Sequence, residues 1–325
     1  MHSSTADIAA AAAVNGVQAA ARSPAARAAT AVAGRQAEPR IGEPVRRLAL
    51  VTGAARRLGR TIALALAHDG WDIGVHYATS EKEARQTAND IRALGRQAVC
   101  LKANLEDAQA ALGLVRQLSE QLGPVSGLVN NASRFVHDDI GTLDAASLTA
   151  HLMPNLVAPL LLSQAFYRAL GDSAGNATSI GEASAGEASN DEPSEGVIIN
   201  LLDQKLDNLN PDFLSYTVAK AGLAAATTML AQAMAPRVRV VGIAPGLTLP
   251  SYLQDADAFA QAHRSFSPLG RSSTPEDVAA AVVFAMNNRS LTGTVIQVDG
   301  GQHLHRMPRD ASCIPAGDNQ AARET

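Results

Sequence analysis

The chain has 325 residues, 46% hydrophobic and 18% charged, with a net charge of -4. It can bury a full core in one large or two small domains, and its charge balance gives no reason to expect nucleic acid or an anionic membrane as partner. Two cysteines, Cys100 in an apolar run and Cys313 in a polar tail, exclude a disulfide framework and a cysteine metal site; no metal is expected, and a reducing cytoplasm fits. No apolar run approaches the roughly 20 residues of a membrane span, so a soluble protein is expected.

Residues 1–45 are alanine-rich, with arginines at 22, 27, 35 and 40 and no strong apolar periodicity, which predicts a disordered or marginally helical extension. The alanine run from Ile8 to Val14 lacks the basic leader and leucines of an export signal. An arginine-rich leader also resembles an organellar transit peptide, which Asp7, Glu38 and Glu43 weaken; a misplaced start codon is the other reading. Residues 46–305 are predicted to form the ordered domain, interrupted at 171–196 by a Gly/Ala/Ser-rich stretch with six acids and no Lys or Arg, too polar to order itself. Residues 306–325 are polar and expected to be a flexible tail.

Within the domain short apolar runs alternate with helical patterns. Strands are predicted at 47–52, 71–77, 97–102, 125–130, 196–202, 238–243 and 293–298, and helical segments from 61 and near 107–122, 145–170, 211–234 and 274–288. Seven strands in this alternation imply an α/β fold, a doubly wound, mostly parallel sheet covered on both faces. Thr274-Pro275-Glu276-Asp277 is a clean start for the last long helix, a cap followed by proline and acids.

The first strand runs into Thr52-Gly53-Ala54-Ala55-Arg56-Arg57-Leu58-Gly59. A glycine-bearing turn between a strand and a helix N-terminus presents free N–H groups and a positive dipole end, a site for a dinucleotide pyrophosphate. Arg57 stands where many dinucleotide folds place a middle glycine; its guanidinium can reach a phosphate, reach a substrate edge, or lie in solvent. The second strand ends His76-Tyr77-Ala78-Thr79-Ser80. It lacks the carboxylate that grips the ribose diol of NAD, and with Arg56, Arg57, Thr79 and Ser80 nearby this favours the 2′-phosphate of NADPH, although Glu81 is close. His76 reads as a cofactor neighbour or as a packed strand histidine. Asn104 and Leu105 follow the third strand, where the amide can bracket an adenine or simply form a loop. The fourth leads into Asn130-Asn131-Ala132-Ser133-Arg134-Phe135, where small residues admit a cofactor and Phe135 can stack a flat substrate. Asn155, ahead of an apolar helical stretch, is a buried amide that needs partners: a proton-relay water, a cap or packing.

Asp203 closes the fifth strand, and Asn210-Pro211 reads as the cap and first position of a helix carrying Tyr216 and Lys220. Four residues apart, the two share a face, so the ammonium can draw the phenol's pKa down toward neutrality. Pro245, Gly246 and Thr248 follow the sixth strand.

Taken together, the 52–59 turn, Asn130 to Ser133, Asn155, Tyr216-x-x-x-Lys220, Pro245-Gly246 and Val298-Asp299-Gly300-Gly301 resemble the short-chain dehydrogenase/reductase family in order and interval. The resemblance implies a single Rossmann-type domain binding NAD(P)H. It implies that Tyr216 is the acid, that Lys220 holds the nicotinamide ribose and lowers the tyrosine pKa, that Asn155 steadies a water relay, and that the chain forms a homo-oligomer, a tetramer or dimer. Gly53, Arg56, Arg57, Leu58, Gly59, His76, Tyr77, Thr79, Ser80, Asn104, Leu105, Asn131, Ala132, Ser133, Pro245, Gly246 and Thr248 are the candidate cofactor contacts besides Tyr216 and Lys220. The family normally ends the fifth strand in serine, and here Asp203 stands in that region. An ionised carboxylate repels a developing oxyanion but can accept from an N–H or help protonate a nitrogen. Asp203, Arg57 and the loop with Ser133 and Phe135 look like the pteridine reductase branch, including bacterial dihydromonapterin reductases, which implies a small-molecule pterin or folate substrate. A basic residue that some pteridine reductases carry after the His-Tyr pair is Thr79 here. Two other readings are a carbonyl or 3-ketoacyl thioester reductase and a non-catalytic NADP-binding sensor.

Overall fold

Strands covered on both faces need apolar residues at nearly every position, because neither face meets water. That composition is met in β1 (Arg47–Val51), β2 (Trp71–Tyr77), β4 (Gly127–Asn130), β5 (Gly196–Leu201) and β6 (Val238–Pro245), which are buried almost throughout. β3 (Ala98–Lys102) and β7 (Val295–Val298) lie at the edges and are only partly buried. The protein, a computed structural model, is described over residues 46–173 and 196–314; the expectations for 1–45, for most of the 171–196 stretch and for the last residues of the tail lie outside them. The seven strands pair in the order β3-β2-β1-β4-β5-β6-β7, all parallel, as the alternation predicts.

Alternate side chains of each strand go to opposite faces. In β1, Ala49 and Val51 join one apolar cluster and Leu48 and Leu50 the other. The first face is covered by α1 (Arg57–His68), α2 (Glu81–Ala93) and α8 (Pro275–Asn287), the second by α3 (Ala108–Leu122), α5 (Ala158–Ser173) and α6 (Leu214–Met234). The Thr274 cap of α8 forms as a full capping box with Asp277. The predicted 145–170 helix is α4 (Ala145–Leu152) joined to α5 through a π turn, Met153–Val157. Pro154 lies in that turn and offers no N–H to the helical ladder, which is a physical reason for the wider turn there. By length and composition the stretch Ala145–Gly171 could cross a bilayer, which the sequence reading had not allowed for; its Ala158, Leu162 and Phe166 pack into the core. α2 and α7 (Ala256–Ser265) were not anticipated.

Two expectations around the catalytic stretch are overturned. α6 begins at Leu214, not after Asn210-Pro211, and Phe213 before it takes a left-handed φ of 56°. Asn210 does not cap it; its side-chain oxygen accepts from the Lys205 ammonium and from the Asp212 N–H. The tail also departs from expectation over 306–314. Met307 and Ala311 are buried beside Ala262 and Phe266, and Arg309 forks onto the buried Asp212 carboxylate with nitrogen–oxygen distances of 2.7 to 3.0 Å. Such a segment has no periodicity to announce it, since isolated anchors hold it rather than a repeating face.

Arg309→Met should leave the Asp212 carboxylate with the Asp310 N–H and His137 as its partners. Because Asp212 keeps those partners and Arg309 is itself half exposed, the variant is expected to stay folded with a lowered urea midpoint at pH 7.

Candidate active site

The order of the sheet reverses direction between β1 and β4, so the connections leaving these strands diverge and open a crevice at their C-terminal ends. A groove of about 530 Å³ lies there. It is lined by the glycine turn from Gly53 to Gly59, by His76, Tyr77, Thr79 and Ser80, by Asn104 and Leu105, and by Asn131, Ala132, Ser133 and Thr248. The turn is compact for steric reasons. Gly53 has φ +65°, and a Cβ on Gly59 would stand 2.2 Å from the Gly53 carbonyl oxygen and 2.5 Å from Asn131 Nδ2. Thr52 ties the turn to the neighbouring loop, its hydroxyl accepting from the N–H groups of Asn131 (2.9 Å) and Ala132 (3.0 Å). No side chain caps α1, and its first turn holds no acid. Its leading N–H groups and positive dipole end are therefore suited to a pyrophosphate, so the residues fit a dinucleotide.

His76 lines the groove, but both its nitrogens are taken: Nδ1 accepts from the Gly53 N–H at 3.0 Å and Nε2 lies 3.2 Å from the Ala103 carbonyl. Burial lowers its pKa to about 4, against the opposing pull of that carbonyl, so it is a neutral brace for the glycine turn. Glu81 opens α2 and is ion-paired with Arg85 at 2.7 Å, which leaves no carboxylate among the groove residues at the end of β2. Arg57 also has a positive φ, 53°, and its Nη2 donates to the Pro250 carbonyl at 2.9 Å, spanning from the turn to the loop after β6.

An adjoining cleft of about 240 Å³ shares Leu58, Asn131, Ser133 and Thr248 with the groove and contains Tyr216, Lys220, Asp203, Phe135, Pro245 and Gly246. The Tyr216 hydroxyl donates to Asp203 Oδ2 at 2.7 Å, while Asp203 Oδ1 accepts from the Lys205 N–H at 2.9 Å. Burial raises the Asp203 carboxyl above the ordinary range, more than its two donors lower it. Burial, then the adjacent carboxylate, hold the Tyr216 phenol well above its usual value. The expected drop of the phenol toward neutrality is therefore not found. Lys220 Nζ donates to the Leu201 carbonyl and not to the phenol, 5.8 Å from the ring centroid, and burial brings its pKa to about 8. Tyr216 is a protonated phenol leaning on a carboxyl group.

Asn155 is fully buried in the π turn, its amide bonded to both main-chain groups of Arg134, at 2.9 Å to the N–H and 2.8 Å to the carbonyl. It clamps the loop between Asn131 and Phe135 and does not line the cleft. One face of Phe135 is stacked on Phe213, centroids 4.0 Å apart at 12°, and its ring meets Tyr216 at 4.7 Å and 84°. Phe213, Gln204, Lys205, Asn208, Gln254, Gln302 and the tail residues Met307, Arg309 and Asp310 carry no signal in the sequence, and Asn210 was expected only as a helix cap. All but Phe213 line the cleft, and nothing local distinguishes them from solvated loop residues. Among the described residues His137, Asp212 and Cys313 offer the one grouping of metal-ligand type, but the Arg309 fork occupies Asp212.

A parallel sheet in this order, a glycine turn opening α1, and a tyrosine and lysine four apart beneath the cleft define an oxidoreductase of the short-chain dehydrogenase/reductase class. The chain belongs to that family: residues 53–303 match the family model described as Enoyl-(Acyl carrier protein) reductase. Among solved structures it resembles the FolM alternative dihydrofolate reductase 1 of Brucella suis in complex with NADP, 39% identical over 79% of this chain and 95% of that one, TM-score 0.69. The corresponding Brucella canis protein, also with NADP, is 38% identical over 79% and 94%, TM-score 0.68. The 3-oxoacyl-acyl-carrier-protein reductase FabG of Staphylococcus aureus is 28% identical, covering 79% of this chain and 98% of its own.

Gly59→Ala places a methyl group against the Gly53 carbonyl, so the turn must open. NADPH affinity, read by quenching of the single tryptophan or by calorimetry, is expected to fall at least about tenfold.

Proposed function

We propose that the protein uses NADPH to reduce a C=N bond of a dihydropterin or dihydrofolate, giving the tetrahydro product. The observation that carries this reading is the Tyr216 hydroxyl donating to Asp203, where a carbonyl reductase needs a donor rather than a second acceptor. Likeness to the NADP complexes of FolM supports the cofactor and the substrate class. The uncapped α1 terminus would hold the pyrophosphate, with Arg56, Thr79 and Ser80 toward a 2′-phosphate and Lys220 toward the nicotinamide ribose. Bound NADPH supplies the hydride that adds to the carbon of the C=N bond.

The residues of the chain manage the proton. A phenol beside a carboxylate is a poor acid, because its conjugate base would face a like charge. With the carboxyl pKa raised by burial, the pair can instead hold two protons. With substrate bound, the Tyr216 hydroxyl would turn from Asp203 to the substrate nitrogen and pass its proton there while accepting the proton of the neutral Asp203, so that no phenolate forms. The sum is one hydride and one proton added across C=N, with Asp203 reprotonated from solvent. A flat ring would stack on the side of Phe135 away from Phe213, with Ser133 beside it and Arg57 in the adjoining groove. A second reading, reduction of a 3-ketoacyl thioester, is supported by the likeness to FabG.

NADPH oxidation followed with dihydrobiopterin, dihydromonapterin, dihydrofolate and a simple ketone tests this. Turnover is expected on a pterin or folate, falling as pH rises through the carboxyl pKa because the proton-loaded pair is lost. Asp203→Ser is expected to reduce pterin kcat/KM by about 100-fold or more and to leave ketone activity unchanged or higher; activity on the ketone alone in the wild type would sink the pterin reading.

The exposed Val218 and Met229 of α6 support a homo-oligomer in which helices pair between copies, in the cytoplasm, where free cysteines such as Cys100 and Cys313 persist. Light scattering of the purified chain should give a dimer or tetramer, and a monomer at micromolar concentration would refute the pairing.

A further inference from the structure

The segment between the two catalytic positions, 204–212, is stapled to the C-terminal segment 305–313. Asn208 bonds the His305 carbonyl and accepts from the Met307 N–H, the latter at 3.0 Å. Arg309 and the Asp310 N–H bond Asp212. The central contact is an ion pair: the Lys205 ammonium, on a side chain 3% exposed, lies 3.0 Å from Asp310 Oδ2 and also donates to Asn210. Lys205 is the same residue whose N–H bonds Asp203 Oδ1. Its side chain is thus fixed by the tail, and its main chain fixes the carboxyl group that accepts from Tyr216.

We propose that Asp310 is a positioning residue of the active site: by anchoring Lys205 it holds the Asp203 carboxyl group against Tyr216. This rests on the proton-donating role proposed for the pair. A buried lysine costs free energy unless paired, so its partner decides where the 204–207 turn sits. The groups around Asp203 are Lys205 on that turn, Tyr216 and Lys220 on α6, and Asp310 on the tail. Of these described residues Asp310 is the negative charge besides Asp203 itself, and it favours the protonated forms of both Asp203 and Tyr216. Removing it withdraws that repulsion and leaves the Lys205 cation less compensated. Both changes favour proton loss.

The test compares full-length wild type with Asp310→Asn and the charge-keeping Asp310→Glu. With saturating NADPH, the alkaline limb of the kcat/KM profile on the dihydropterin or ketone is expected to move about half a pH unit or more to lower pH in Asp310→Asn and to stay near wild type in Asp310→Glu. Hydrogen exchange of peptides covering 203–213 is expected to quicken about tenfold in Asp310→Asn, with peptides over the 52–60 turn unchanged. An unmoved alkaline limb despite reduced activity, or unchanged exchange at 203–213, would overturn the proposal. If the wild type turns over neither substrate, the proposed function fails by itself and the exchange comparison still decides the role of Asp310.

Discussion

The hydrogen bond from Tyr216 to Asp203 is the contact for which the surrounding structure is arranged. It needs the end of β5 and the first turn of α6 to face each other across a cleft, although a loop of more than ten residues separates them in sequence. The parallel sheet brings the strand end to the C-terminal edge, and α6 packs back along the sheet. The left-handed Phe213 turns the chain into the helix with the phenol aimed inward. A non-glycine residue in that conformation is costly, and here it is held by the stack on Phe135 and the proximity of Lys205, 5.7 Å from the Phe213 ring centroid.

The same edge of the sheet builds the dinucleotide groove, and for a different reason. Where the strand order reverses, β1 and β4 send their connections to opposite sides, leaving a gap that no side chain fills. The glycine turn enters that gap because Gly59 can lie against the Gly53 carbonyl; His76 and Asn131 hold it there by hydrogen bonds to its backbone, and the Thr52 hydroxyl ties it to the backbone of the 131–132 loop. The glycine turn presents main-chain groups to the groove, while the adjoining cleft is lined by the Asp203, Tyr216 and Lys220 side chains.

The wall of the cleft comes from parts of the chain distant in sequence. Asp310 pairs with the Lys205 ammonium, and the Lys205 N–H in turn bonds Asp203, so the final segment of the described chain is linked to the Tyr216–Asp203 pair without lining up with it in any motif. The Arg309 fork on Asp212 anchors the same segment one step further from the chemistry.

What the sequence determined by itself was the order of strands and helices, the glycine turn, the lack of a carboxylate at the end of β2, and the oddity of Asp203. These are local: apolar runs, steric demands of a tight turn, and one acidic residue where a hydroxyl is usual all show in a few consecutive residues. The tertiary structure decided what those residues touch. It gave the Asn155 amide to the main chain of Arg134, buried the Tyr216 phenol beside Asp203 and so raised its pKa, moved the start of α6 past Pro211, and drew 306–314 into the cleft. Such outcomes depend on burial and on which distant groups arrive within about 3 Å, where desolvation and hydrogen bonding outweigh any preference written in the neighbouring sequence.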